Sequence, residues 1–234
     1  MKSFAMIPTY NEAENIPKLL KELMKIPGLH AVVVDDNSPD GTSTIVKKMR
    51  NNRIHLLLRT RDKGRGSAGI AGFKYCIKKK ADFIIEMDAD FSHNPKYIPS
   101  ILNALKKCDV VLGSRQVKGG KQEGRPFNRR LLTYFANFYI RIVLGLKVRD
   151  CNSGFRGFRK EALEKIMRKS LSSKGPDVVQ EVLYRSHLLN LKICEVPITF
   201  YERTEGASKL GLTHLWRGYT AVLKLRWLHI TGNI

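Results

Sequence analysis

Long apolar stretches are missing from this sequence. Nowhere do 18 uncharged apolar residues run together, so no membrane-spanning helix is expected. Acidic residues are few, 21 against 42 lysines and arginines, which leaves a formal net charge of +21. Cysteine is sparse as well. Cys76, Cys108, Cys151 and Cys194 are scattered without a Cys-x-x-Cys pair. Neither a zinc site nor a disulfide framework is expected from them, and a reducing compartment is the simple reading. The first residues, MKSFAMIPTYNE, reach Pro8 and charged side chains too soon for a signal peptide. Internal repeats and low-complexity linkers are absent too. What is present, 43% hydrophobic and 9% aromatic residues in a chain of 234, is enough for one substantial core. The reading is one domain over 1–210 with an amphipathic C-terminal extension over 211–234, where Trp216, Tyr219, Leu223 and Trp227 recur at helical spacing.

The excess of positive charge fits nucleic acid, an anionic membrane surface or phosphorylated substrates. It is concentrated in residues 116–149, where Lys118, Lys121, Arg125, Arg129, Arg130, Arg141, Lys147 and Arg149 face Glu123 alone. No helix-turn-helix, RNP or zinc pattern accompanies it, so nucleic acid is not the expected partner. In the same segment Leu131, Leu132, Phe135, Phe138, Tyr139, Ile142, Val143 and Leu146 follow a helical period, behind a flexible-looking KGGKQEG. A solvated helix face is the plain account. A basic, aromatic, amphipathic helix lying on anionic lipid headgroups is the sharper one.

The first half alternates short apolar strands (SFAMIPT, HAVVVDD, IHLLLR, ADFIIEMD, DVVLGSR) with amphipathic helices. This pattern predicts an α/β fold with a mostly parallel, Rossmann-like central sheet flanked by helices. Ligands of such sheets bind outside the carboxyl ends of the strands. The polar clusters PTYNE, DDNSPDG, DADFSH and GSR all fall there. Further on, CNSGFRGFRKEALEKIM reads as a strand and a helix, DVVQEVLYRSHLL as a helix, and LKICEVPITFY as a strand that Pro197 marks as an edge.

Asp88 and Asp90, two residues apart just past a strand, can both reach a hard cation such as Mg²⁺ or Mn²⁺ that keeps open positions for phosphate oxygens. A solvated turn is the alternative for an isolated pair of this kind. Asp35 and Asp36 end the second strand. A calcium loop starting at Asp36 would put Lys47 where a bidentate Glu is needed, so calcium is excluded. A contact to a ribose hydroxyl or a base edge and an ordinary turn both remain open for Asp36. Gly64-x-Gly66-x-x-Gly69 matches a dinucleotide fingerprint formally, but Thr60-Arg61-Asp62-Lys63 separate it from its strand. Close packing of the following helix on the sheet is the better account.

In order along nearly the whole chain, IPTYNEAENI, VVVDDNSPDGT, KGRGSAG, EMDADFSHNP, GSRQVKGG, NSGFRGFRKEAL and EVPITFYERTEGASKL resemble the family 2 glycosyltransferases, and among them the dolichyl-phosphate mannose synthases. The resemblance implies a GT-A fold, Mg²⁺ or Mn²⁺, and inverting transfer of mannose from GDP-mannose to a dolichyl or other polyprenyl phosphate. It implies donor contacts at Pro8, Tyr10, Glu12, Val34, Asp36, Asp88, Ala89, Asp90, Arg115, Arg203 and Lys209. It assigns the metal to Asp88 and Asp90, while Ser92 stands where some members carry a metal-binding Gln. Arg115, Arg129 and Thr133 match acceptor-phosphate contacts, and Asp88, Asp90 and Arg115 form the implied catalytic set. Gln116 and Arg125 depart from a usual Tyr and a common Trp on the acceptor side. The implied location is peripheral, on the cytoplasmic face of a membrane, with room for a membrane-anchoring subunit.

The chemistry has its own logic. Negative charge built on a leaving diphosphate is neutralised by a cation and fixed Arg or Lys side chains. A phosphate monoester, with a second pKa of about 6, is already nucleophilic at neutral pH, so no general base is expected. A UDP-sugar (glucose) polyprenyl-phosphate transferase, a basic nucleic-acid-binding module and a catalytically silent homologue are the alternatives.

Overall fold

The computed structural model describes residues 1–173, 175–202 and 212–234, the last stretch with side chains from residue 218 onward. Arg203, Lys209, the Trp216 side chain and the boundary at 210/211 lie outside the described residues.

The chain begins with β1 (Ser3–Thr9), α1 (Ile16–Met24), β2 (Leu29–Asp35), α2 (Thr42–Lys48), β3 (Ile54–Leu58), α3 (Arg65–Lys78) and β4 (Phe83–Glu86). A 3-10 turn, Pro95–Tyr97, leads into α4 (Ile98–Leu105) and β5 (Val110–Ser114). There follow β6 (Lys121–Glu123), α5 (Phe127–Leu144), β7 (Arg156–Arg159), α6 (Lys160–Ile166), α7 (Val178–Leu188), β8 (Ile193–Pro197), β9 (Thr199–Tyr201) and α8 (Leu212–Ile230). Among the described residues seven strands form one sheet in the order β3-β2-β1-β4-β7-β5-β8, all parallel to their neighbours except β7. The α/β fold with a mostly parallel sheet is therefore as the sequence pattern predicts.

A central strand covered on both faces shows as an unbroken apolar run, and β1 does so. Its Phe4 and Met6 pack with Ala68, Phe73 and Cys76 on the α3 side, while Ala5 and Ile7 pack with Ile16, Leu19, Leu20 and Leu23 of α1. All four α1 side chains are fully buried, each worth roughly 1.5–3 kcal/mol against exposure. The α3 face also receives α5, α6, α7 and, through Val222 and Leu225, α8.

The second half departs from the expected pattern in three ways. β7 enters antiparallel between β4 and β5, setting Arg156 directly across from Glu86. Helix α4 lies so close over this strand that a Cβ on Gly157 would stand 2.6 Å from Ile101 Cγ2, which only glycine avoids. The stretch read as one strand, LKICEVPITFY, is two: β8, the edge that Pro197 implied, and β9 beyond Ile198. The third departure is the segment read as flexible, KGGKQEG, which supplies β6 and pairs with β9 in a small parallel sheet.

The expectation of no disulfide is corrected: Cys108 and Cys194 are bonded, their Cα atoms 6.1 Å apart. β5 and β8 are parallel neighbours, and this brings together two cysteines 86 residues apart that no local spacing could pair. Cys76 and Cys151 are free and buried. Closing so long a loop is worth about 2–4 kcal/mol. Urea midpoints with and without reductant are expected to differ accordingly, and coincident curves would contradict it.

Candidate active site

The carboxyl ends of β1, β2, β4 and β5 form one rim, and most of the implied site residues stand on it. Pro8, Tyr10 and Asp36 line a cleft of about 460 Å³ together with Lys63, Gly64 and Arg65. The two aspartates ending β2 divide the work. Asp35 is fully buried and accepts from Thr9 Oγ1 at 3.1 Å and Ser38 N–H at 3.0 Å, fixing the turn. Asp36 reaches the cleft, where its carboxylate takes Arg59 Nη1 at 2.6 Å and Gly64 N–H at 2.7 Å. It thereby fastens the loop before α3. Val34 and Ala89 are core residues beneath the rim, with no side-chain surface to offer a donor. Glu12 sits in the turn leading into α1, where its carboxylate accepts from Asn15 Nδ2 at 2.9 Å.

β4 delivers the acidic segment. Glu86 is fully buried, accepting from Arg156 Nε at 3.0 Å, from Arg156 Nη2 and from Arg65 Nη1 at 2.8 Å. Burial alone would raise its pKa, but Arg156 and then Arg65 outweigh that and hold it below the ordinary carboxylate range. Glu86 is thus committed to two arginines. Asp88 receives Arg65 Nη2 at 3.1 Å. Its backbone N–H donates to His93 Nδ1 at 3.0 Å, which makes Nδ1 an acceptor and the ring neutral. Burial lowers the pKa of His93, and the imidazole stacks on Phe155 at 5.2 Å. Asp90 Oδ1 accepts from the Ser92 N–H at 3.1 Å and from Ser92 Oγ at 2.6 Å. Ser92 is buried and orients Asp90.

At the end of β5, Arg115 grips Asp150 in a fork, Nε to Oδ2 at 2.7 Å and Nη2 to Oδ1 at 2.6 Å. Asp150 is fully buried. Burial would raise its carboxyl, but the Arg115 guanidinium outweighs it and holds it below the usual range. Behind it, Glu195 of β8 accepts the N–H groups of Arg149 at 2.8 Å and Asp150 at 3.0 Å. Arg129 pairs with Glu202 at 2.7 Å, and Arg125 approaches the same carboxylate at 3.4 Å. Each described arginine of this rim therefore already has a carboxylate partner.

Between α5 and α8 runs a groove of about 280 Å³. Arg115, Arg125 and Thr133 are among its polar lining, and Leu132, Tyr139 and Val222 among its apolar walls. Thr133 Oγ1 donates to the Arg129 carbonyl at 2.9 Å. The structure thus brings Arg115 and Thr133 to one groove and leaves Arg129 beside it, on Glu202. On the outside of α5, Phe127, Leu131, Phe135, Phe138 and Ile142 are exposed, while Asn137, Ile140 and Leu144 are buried. Leu223, Trp227 and Ile230 of α8 are exposed too.

Residues 4–167 match the family described as Glycosyl transferase family 2. This chain belongs to that family. It is 37% identical to the undecaprenyl-phosphate mannosyltransferase of Micrococcus luteus, over 96% of this chain and 100% of that protein. It is also 37% identical to the polyprenol monophosphomannose synthase of Mycolicibacterium smegmatis, over 90% of this chain and 81% of that one. Glucosyl-3-phosphoglycerate synthase of Mycobacterium tuberculosis, solved with Mn²⁺ and UDP, has the same fold at a TM-score of 0.69 and 17% identity, covering 97% of this chain and 79% of that one. Mannosyl-3-phosphoglycerate synthase of Rubrobacter xylanophilus follows at 0.61 and 17%, covering 100% and 76%. These neighbours make the fold a GT-A glycosyltransferase fold.

Four residues of the rim escaped sequence reasoning: Arg65, His93, Asp150 and Glu202. Arg65 sat in a glycine-rich stretch read only for packing. His93 lay within DADFSH and could have been found as a polar group at a strand end.

Proposed function

We propose that the protein transfers mannose from GDP-mannose to a polyprenyl phosphate such as dolichyl phosphate, with inversion at the sugar. The relatives named for polyprenol-phosphate mannose synthesis support the reaction class. The observation that carries the reading is the groove between α5 and α8, cationic at Arg115 and Arg125 and apolar along Leu132, Tyr139 and Val222. A phosphate on a hydrocarbon tail matches that polarity; a wholly water-soluble acceptor does not.

In this reading Pro8, Tyr10 and Asp36 take the nucleotide in the cleft beside β1 and β2. Asp88 and Asp90 face the donor diphosphate. Among the described residues no three His, Cys, Asp or Glu side chains gather into a complete metal cage. Two carboxylates nevertheless fit a hard cation that fills its remaining positions with phosphate oxygens and water. Mg²⁺ or Mn²⁺ held by Asp88 and Asp90 would supply neutralisation of the leaving diphosphate. Arg115, rigid in the grip of Asp150, orients the acceptor phosphate. That phosphate attacks as its own anion, so the site needs no base to remove a proton. Arg125 and Arg129 release Glu202 as phosphates enter, exchanging one anionic partner for another.

Among the described residues no helix is long and apolar enough to cross a membrane. The exposed strip on α5 and the neighbouring Leu223, Trp227 and Ile230 are bordered by the exposed Arg130, Lys224 and Arg226. We assign this face to the surface of an anionic bilayer, from which a lipid acceptor reaches the groove between the same two helices. Phe138→Asp with Ile142→Asp is expected to release the protein from anionic vesicles in a flotation assay, and undiminished flotation would contradict the assignment.

The acceptor is tested by filling the groove. Ala136→Phe is expected to raise KM for the polyprenyl phosphate by about tenfold or more, equivalent to 1.4 kcal/mol, while GDP affinity measured by calorimetry stays the same. An unchanged KM would remove the groove from the reaction.

A further inference from the structure

We infer that Arg65 is a positioning residue for the divalent cation, one that competes with it for Asp88 and so couples cation binding to nucleotide binding. The inference rests on the proposal that Asp88 and Asp90 hold that cation.

Arg65 is the first residue of α3, behind Gly64, whose N–H is tied to Asp36. One arm of its guanidinium is locked, because Nη1 lies 2.8 Å from a Glu86 carboxylate that is fully buried and already shared with Arg156. The other arm, Nη2, lies 3.1 Å from Asp88 Oδ1, and Asp88 is 27% exposed where Glu86 is not exposed at all. The fork therefore has a fixed tooth on the inner carboxylate and a tooth on the outer, ligand-accessible one. Arg65 also lines the cleft with Pro8, Tyr10 and Asp36, so the same guanidinium borders both the nucleotide cleft and the acidic pair.

A cation arriving at Asp88 either takes Oδ1 from Arg65 or binds Oδ2 on the His93 side, and in both positions it sits beside the guanidinium's positive charge. Loading without a nucleotide is therefore disfavoured. A diphosphate removes the conflict, since its oxygens complete the cation's shell and accept from the displaced Nη2. Cation and nucleotide then each tighten the other by the same factor. Glu86 keeps Arg65 near the cleft throughout, because its Arg156 partner alone leaves one of its oxygens unfilled. Loss of Arg65 leaves Glu86 Oε1 without its donor but keeps both Arg156 bonds to Oε2, and urea midpoints of the variants show whether the fold survives the change.

The test is Mn²⁺ binding followed by electron paramagnetic resonance, in the full chain without acceptor lipid, with and without GDP. Without GDP, Arg65→Met is expected to bind Mn²⁺ about tenfold tighter than wild type, within the range usual for coupling between sites. Arg65→Lys keeps the charge and is expected to stay close to wild type. Lys63→Met removes the neighbouring cation on the same cleft wall, and a change of at most about twofold is expected for so exposed a charge. With GDP present the advantage of Arg65→Met should largely disappear. Arg65→Met binding no tighter than wild type would overturn the inference, and so would an equal gain in Lys63→Met. Absence of Mn²⁺ binding in every variant, with and without GDP, would overturn the cation reading beneath it.

Discussion

Arg156→Met is expected to destabilise the protein by about 3–5 kcal/mol, the usual result of removing one partner from a buried ion pair. Arg156 is 1% exposed and Glu86 not at all, so water cannot replace the lost charge. Glu86 would keep Arg65, but Oε2, which takes both Arg156 nitrogens, would be stranded. Adding Glu86→Gln to Arg156→Met removes the stranded charge and is expected to recover most of the loss. Urea midpoints of the single and double variants check this, and a single variant within about 1 kcal/mol of wild type would contradict it. The same pair sets an acid limit. Glu86 and Asp150 titrate below the ordinary carboxylate range in the fold. Their contribution is complete above the unfolded carboxylate pKa of about 4 and is lost as pH falls through the folded values. Thermal stability is therefore expected to drop below about pH 4, and to drop less steeply in the double variant.

The largest expected effect on activity is at Asp90. Asp90→Ala is expected to lower kcat by at least about 10²-fold, the scale seen when one element of charge stabilisation is removed from a transition state. Asp90 is only partly buried, and the partners it loses include the N–H and hydroxyl of Ser92. The fold should survive, with an unchanged urea midpoint. Turnover within about threefold of wild type, at saturating Mn²⁺, would remove Asp90 from the reaction.

Much of this could be read in the chain because it depends on local pattern. Apolar strands alternating with helices dictate the parallel sheet, and the position of DADFSH just past a strand puts Asp88 and Asp90 on its rim. What escaped depends on contacts distant in sequence. The antiparallel entry of β7 sets Arg156 beside Glu86, 70 residues away. The adjacency of β5 and β8 joins Cys108 to Cys194, and Asp150 meets Arg115 across a 35-residue separation. The helical period of residues 131–146 foretold α5 but not which apolar residues face outward. Leu132, Tyr139 and Val143 turn inward, while Leu131, Phe135, Phe138 and Ile142 face out. Periodicity gives the element; only its neighbours decide the faces.

The most direct measurement offers labelled GDP-mannose and UDP-glucose, each with Mn²⁺ and a polyprenyl phosphate in anionic vesicles, to wild type and to Asp90→Ala. Lipid-extractable label from GDP-mannose alone, lost in Asp90→Ala, is the expected result. Label from UDP-glucose instead, label from neither donor, or label undiminished in Asp90→Ala would contradict mannosyl transfer at this site.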